Sequence, residues 1–147
     1  MVLTRDHTPL LPDEMARVIA AGGYVTRGRV NGTLGISRSF GDIMCKDGKG
    51  LWEGQQVISQ PEQSTFEIEK EDEFLILACD GLWDVMTNQQ AVYYVQRRLL
   101  AHRDVQRAAR ELADKAVISS SDNCSCIVVC LNQLLPAPSS PILRQKG

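Results

Sequence analysis

A chain of 147 residues, 44% hydrophobic and 23% charged, is ordinary for a globular domain and long enough to bury a core. Its net charge of -2 gives no reason to expect nucleic acid or an anionic membrane as a partner. No apolar run approaches the ~20 residues that span a bilayer, the start lacks a signal-peptide pattern, and five cysteines without a secretory signal point to a reducing compartment, cytoplasmic or nuclear.

In chain order, Pro12 and Asp13 open a short helix whose Met15, Val18 and Ile19 share a face, and Gly22-Gly23 ends it. The next segment, RVNGTLGISRSFGD from Arg29 to Asp42, places Asn31-Gly32 at the centre of a two-residue hairpin joining Tyr24–Arg29 to Thr33–Ile36. Ile43 to Gly54 has three glycines and no clear period, so it reads as a loop, and Gln56 to Ser59 reads as a short strand. Ser64 to Glu69 alternates with Phe66 and Ile68 inward, and Lys70 to Asp72 then turns the chain.

The turn leads into EFLILACDGLWDVM, Glu73 to Met86. Phe74 to Cys79 carries no charge and no strict alternation, the pattern of a strand covered on both faces. Asp80 stands where that strand emerges. Carboxylate oxygen suits hard divalent ions, and Gly81 lets the backbone turn away beside it, although a strand followed by a plain Asp-Gly turn fits the same residues. Further on, SSSDNCSCIVVCL, Ser119 to Leu131, sets Asp122 ahead of an apolar strand rather than after it. Asp122 can therefore face the same end of a sheet as Asp80, and two carboxylates at one rim make a candidate metal site.

Two helices lie between these strands. Thr87 with Gln90 fits a capping box, with Val92, Val95 and Leu99 on the inner face behind it. Asp104 can cap the next helix, in which Val105, Ala108, Ala109, Leu112, Ala113 and Ala116 recur at helical spacing. Cys124, Cys126 and Cys130 share one face of the last strand, where free cysteine packs as a small apolar residue; the alternative, zinc, lacks a nearby histidine or fourth cysteine. Pro136, Pro138, Ser139, Ser140 and Pro141 make 132–147 a tail expected to be disordered, leaving 1–131 as the folded part.

Taken jointly, LTRDHTP (Leu3 to Pro9), AGGYV (Ala21 to Val25), RVNGTLGISRSFGD, ACDGLWDVM (Ala78 to Met86) and SSDNCSCIVV (Ser120 to Val129) resemble the type 2C family of metal-dependent protein serine/threonine phosphatases. The resemblance implies an α+β fold, an α-β-β-α sandwich of antiparallel sheets flanked by helices, and a dinuclear Mg2+ or Mn2+ site. It implies hydrolysis of phosphoserine and phosphothreonine in phosphoprotein substrates by metal-bound water, with Asp80 and Asp122 as metal ligands. Asp84 matches a contributor to a third, weaker ion in some members, and a surface acid ahead of Thr87 is the equal alternative.

The same resemblance assigns other residues lesser parts. His7 matches the segment leading into a flap and is expected to be a hydrogen-bonding residue rather than a ligand. Arg27, Arg29 and Arg38 are either a solvated surface or positive charge offered to a phosphopeptide. Asp42 is expected in a turn or as a residue orienting the site.

The family's amino-terminal motifs are not in this sequence: the phosphate-gripping Arg, an early acidic pair and Asp-Gly-His-Gly-Gly. Neither histidine, His7 or His102, lies in such a motif. The chain thus looks like the carboxy-terminal half of a phosphatase domain, as a truncated isoform, an incomplete reading frame or an excised piece. Two divalent ions bring four positive charges against the two negative charges of Asp80 and Asp122, and each ion takes about six oxygens, so the chain alone is expected to be inactive. The alternative is a non-catalytic module that binds the partners or substrates of the full-length phosphatase. Genomic sequence upstream of Met1 discriminates the two: a reading frame with the missing motif supports the enzyme, a genuine start codon the module.

Overall fold

The computed structural model describes residues 1–46 and 54–131, so the expected tail at 132–147 and most of the loop expected between Ile43 and Gly54 lie outside the described residues. The described residues form four α-helices and two two-stranded antiparallel sheets, an α+β architecture, in two units divided after Thr65.

In the first unit α1 runs Pro12–Ala20, with proline in the first turn, where a missing N–H removes no helical hydrogen bond. Gly22, at a φ of 76°, stops it, and the N–H groups of Gly22 and Gly23 return to the carbonyls of Ile19 (3.0 Å) and Val18 (2.9 Å). The expected face is buried only in part. Glu14 and Val18 are buried, whereas Ile19 is 58% exposed.

Charge pairing is the reason. The Glu14 carboxylate, at 0% exposure, accepts hydrogen bonds from Arg17 Nη2 (2.6 Å) and Arg38 Nε (2.9 Å). Arg17 also donates to the Ser37 carbonyl (2.7 Å) and Arg38 to that of Gln60 (3.2 Å), so both arginines are tied into the fold. Arg38 is therefore not a charge held out to a phosphopeptide. Val18 packs with Val30 and Val57 in a small core beside this network.

The hairpin turns one step earlier than its sequence suggests. β1 (Val25–Thr26) pairs with β2 (Arg29–Val30) in the register Val25↔Val30 and Thr26↔Arg29, so the turn is Arg27-Gly28, with φ of 52° and 73°. Asn31-Gly32, with φ of 50° and 74°, makes a second turn directly after it, where Val30 N–H meets the Leu34 carbonyl (2.8 Å). Asn31 has other partners: its Oδ1 accepts from Tyr24 N–H (3.2 Å) and its Nδ2 donates to Gln56 Oε1 (2.6 Å). The strand expected at Thr33–Ile36 is reduced to the single bridge Val30↔Leu34, and that expected at Gln56–Ser59 to the bridge Arg38↔Ile58.

Other expected residues fall into place around this hairpin. His7 Nε2 hydrogen-bonds Glu62 (2.9 Å), and its carbonyl accepts from Ser37 Oγ (2.8 Å). Asp42 adopts a left-handed φ of 49°, accepts a hydrogen bond from Ser39 Oγ and precedes a 3-10 turn at Ile43–Cys45, a turn role. The alternation from Ser64 to Glu69 does not form a strand, and Phe66 and Ile68 are 49% and 67% exposed. An extended segment becomes a strand only by pairing, and no described residue pairs with it.

In the second unit β3 (Phe74–Ala78) is followed by the one-turn α2 (Asp80–Trp83), α3 (Asn88–His102), α4 (Val105–Val117) and β4 (Cys126–Cys130). The Thr87 capping box forms in full, with Thr87 Oγ accepting from Gln90 N–H (3.3 Å) and Gln90 Oε1 from Thr87 N–H (2.9 Å). Asp104 caps α4 through Arg107 N–H (2.9 Å). Ala91 and Val95 of α3 and Ala108, Leu112 and Ala116 of α4 are buried. Val92, expected inside, is 38% exposed, because Ala91 rather than Val92 stands one turn before Val95 on the face turned to Leu112 and Val128.

β3 and β4 are antiparallel in an unbroken register from Phe74↔Cys130 to Ala78↔Cys126. One face, with Phe74, Ile76, Ala78, Cys126 and Val128, packs on the helical core. On the other face Leu77 and Ile127, opposite each other, are 47% and 61% exposed, so the described residues cover the strand on one side rather than on both. Its apolar composition exceeds what the described residues bury.

The Glu14 network yields a stability prediction. Burial pushes the Glu14 carboxyl up, but the hydrogen bonds from Arg17 and Arg38 outweigh it and lower its pKa from 4.5 to about 2. With the folded value depressed, ionised Glu14 contributes stability that is fully present above pH 4.5 and is lost as pH falls towards about 2. Glu14→Gln leaves two arginines without their counter-charge and lowers stability at pH 7 by about 3 kcal/mol. Urea unfolding followed by circular dichroism should show that deficit at pH 7 and a smaller one at pH 3.

Candidate metal centre

The end of the β3–β4 ladder is built by backbone and sulfur together. Past the last paired residues, Cys79 N–H donates to the Ser125 carbonyl (3.2 Å). The Cys79 thiol accepts from Ser125 N–H (3.2 Å) and donates to the Asn123 carbonyl (3.4 Å). These hydrogen bonds from Ser125 hold the Cys79 thiol below its ordinary pKa. Cys79 thus lies against residues 123–125. Asp80 follows Cys79 directly and Asp122 precedes Asn123 directly, which sets both at the same end of the sheet.

Gly81 makes this approach possible. A Cβ added there would fall 2.2 Å from the Asn123 carbonyl oxygen, closer than any real side-chain carbon comes. Glycine was expected for a tight Asp-Gly turn. The structure instead puts it inside α2, where the missing side chain leaves room for a neighbouring backbone.

The carboxylates are exposed, and each is anchored through one oxygen. Asp80 Oδ1 accepts from Gly81 N–H (3.0 Å) and Asp122 Oδ1 from Asn123 N–H (2.7 Å). Ser120 Oγ accepts from Asp122 N–H (3.1 Å) and fixes the turn that carries it. Asp84 stands one helical turn beyond Asp80, its N–H donating to the Asp80 carbonyl (2.8 Å), and its side chain is exposed.

This donor set fits a hard divalent cation in kind, since it is oxygen-only, anionic and open to solvent, but not in number. Among the described residues no three or more His, Cys, Asp or Glu side chains gather into a metal-binding group. The cysteines serve the core: Cys124 and Cys126 pack against it, Cys126 Sγ donates to the Ala109 carbonyl (3.2 Å), and burial pushes the Cys124, Cys126 and Cys130 thiols up. The sequence pattern anticipated Asp80 and Asp122 at one end of a sheet but missed the parts of Cys79 and of the Asn123 carbonyl. Cys79, beside the Asp-Gly pair, was visible; a backbone carbonyl leaves no signature in a sequence.

Comparison with known proteins gives this geometry its class. The family model described as Protein phosphatase 2C matches residues 1–125, and the chain belongs to that family. It is 40% identical to "Probable protein phosphatase 2C 22" of Arabidopsis thaliana over 97% of the chain, and 44% identical to "Protein phosphatase 1B" of Homo sapiens over 88%. It spans 38% and 27% of the lengths of those relatives. Among solved structures it resembles a phosphatase from Toxoplasma gondii (TM-score 0.75, 29% identity, covering 88% of this chain and 41% of that one). It also resembles a C. elegans sex determining protein (TM-score 0.73, 31% identity, covering 88% and 32%).

Replacing Gly81 tests the close packing at the rim. Gly81→Ala must push the Asn123 carbonyl away and should cost about 2 kcal/mol or more. Thermal melts should show the loss, and hydrogen exchange should show Cys79 and Ser125 amides exchanging faster than those in the middle of β3 and β4.

Proposed function

We propose that this chain is part of the catalytic domain of a protein serine/threonine phosphatase that acts on phosphoproteins and depends on Mg2+ or Mn2+. The observation that carries the reading is the placing of Asp80 and Asp122 at one end of a single strand pair, in a chain that belongs to the type 2C family.

Asp80 and Asp122 would hold the ion through the carboxylate oxygens that their own turns leave free. Such an ion, when bound, supplies Lewis acidity at a phosphoryl oxygen and acidifies water. Gly81, Cys79 and Asn123 hold the residues next to the two acids against one another, so that both acids stand at one end of the sheet. Asp84, on the same side of α2, adds negative charge to that end of the sheet. The remaining ligands and the phosphate grip are assigned to the amino-terminal half of the domain, as the resemblance implies, and the 147-residue chain by itself lacks turnover.

Isothermal titration with manganese should detect weak binding that falls at least tenfold in Asp80→Asn. Hydrolysis of an aryl phosphate by the chain should not exceed that of Asp80→Asn, and adding the amino-terminal half of a relative's domain as a separate polypeptide should restore manganese-dependent turnover to the parent only. Tight manganese binding that survives Asp80→Asn would overturn the assignment.

A further inference from the structure

Cys79 and Cys124 stand apart from the other thiols. The Cys79 sulfur sits between the Asn123 carbonyl (3.4 Å) and the Ser125 N–H (3.2 Å), the peptide groups on either side of Cys124. Cys79 and Cys124 are both partly accessible, and neither is disulfide-bonded. By contrast, Cys126 is committed to the Ala109 carbonyl and Cys130 pairs with Phe74 at the far end of the ladder. Cys45 belongs to the other unit.

We propose that Cys79 and Cys124 are a redox pair that closes into a disulfide under peroxide and reopens under thiol reductants. A bridge needs Cα atoms about 4.4–6.8 Å apart, and the Cys79 sulfur already lies against the two peptide groups that flank Cys124. The pair lies beyond the last rung of the ladder, where the backbone has more freedom to adjust than it has between Phe74 and Ala78.

The chemistry balances with hydrogen peroxide as oxidant. The Cys79 sulfur attacks one peroxide oxygen, the O–O bond breaks, and the thiol proton leaves with the other oxygen as water, giving a sulfenic acid. The Cys124 sulfur then displaces that hydroxyl, which departs with the Cys124 proton as a second water, and the S–S bond forms. Two electrons pass from the paired sulfurs to peroxide. The covalent tie would lie directly between the residues that carry Asp80 and Asp122.

The test is thiol mapping of the 147-residue chain, which does not depend on metal binding or turnover. After treatment with hydrogen peroxide, remaining thiols are alkylated, the chain is digested without reductant, and cross-linked peptides are sequenced by tandem mass spectrometry. The expected product is one intramolecular Cys79–Cys124 link, lost on dithiothreitol, absent from Cys79→Ser and Cys124→Ser and retained in Cys126→Ser and Cys130→Ser. Fragmentation of the parent's own cross-linked peptide assigns the link even where a variant folds poorly. A link that survives Cys124→Ser, oxidation of Cys79 to sulfinic acid with Cys124 still alkylatable, cross-links between chains only, or no oxidation at all would each overturn the proposal.

Discussion

The antiparallel pairing of β3 with β4 is the constraint on which the candidate centre rests. Asp80 and Asp122 are far apart in sequence, and nothing local draws them together. The ladder from Phe74↔Cys130 to Ala78↔Cys126 brings the ends of the two strands side by side, and the Cys79–Ser125 hydrogen bonds extend it to the residues next to each acid. The absence of a side chain at Gly81 allows the last step of that approach. Shifting the register by one residue would turn the core-facing side chains Ile76 and Val128 outward and carry the acids out of step, so packing on the helices and carboxylate placement are a single requirement.

The first unit is organised by a different force. Among the described residues its buried apolar cluster is small, built on Val18, Val30 and Val57, and a buried carboxylate takes over part of the task of fixing its geometry. Glu14 gathers Arg17 and Arg38, and through them the carbonyls of Ser37 and Gln60, into one network joining α1 to the segments after the hairpin. Such pairs contribute little net stability relative to an apolar core, but they have strict geometry, and removing one member strands the others.

Much of the second unit was legible in its sequence because its signals are local and agree with one another. The capping box at Thr87, the Asp104 cap, the Ala108–Leu112–Ala116 spacing and the apolar runs of β3 and β4 each specify the element that forms. The misreadings have physical causes of longer range. Ile19 was placed inside because periodicity counts apolar residues and cannot foresee a carboxylate paired with Arg17 on its own helix and with the distant Arg38. The hairpin offered two glycine-containing turns of the same handedness, and a contact between Asn31 and Gln56 distinguishes them. Ser64 to Glu69 has the alternation of a strand but no partner among the described residues. In the centre itself the acids were legible as chemistry, whereas their supports, a thiol and a carbonyl, act by shape.

The position of α3 and α4 between the paired strands has a kinetic meaning. Everything from Cys79 to Ser125 lies inside the loop that the strand pair must close, and closing so long a loop before its interior is ordered costs more entropy than closing it around a formed helical hairpin. The helices, capped by their own side chains, can form early and shorten the effective gap. The two aspartates would then meet only in the final stage of folding, and the arrival of charge at that rim would serve as a clock for the completion of the unit.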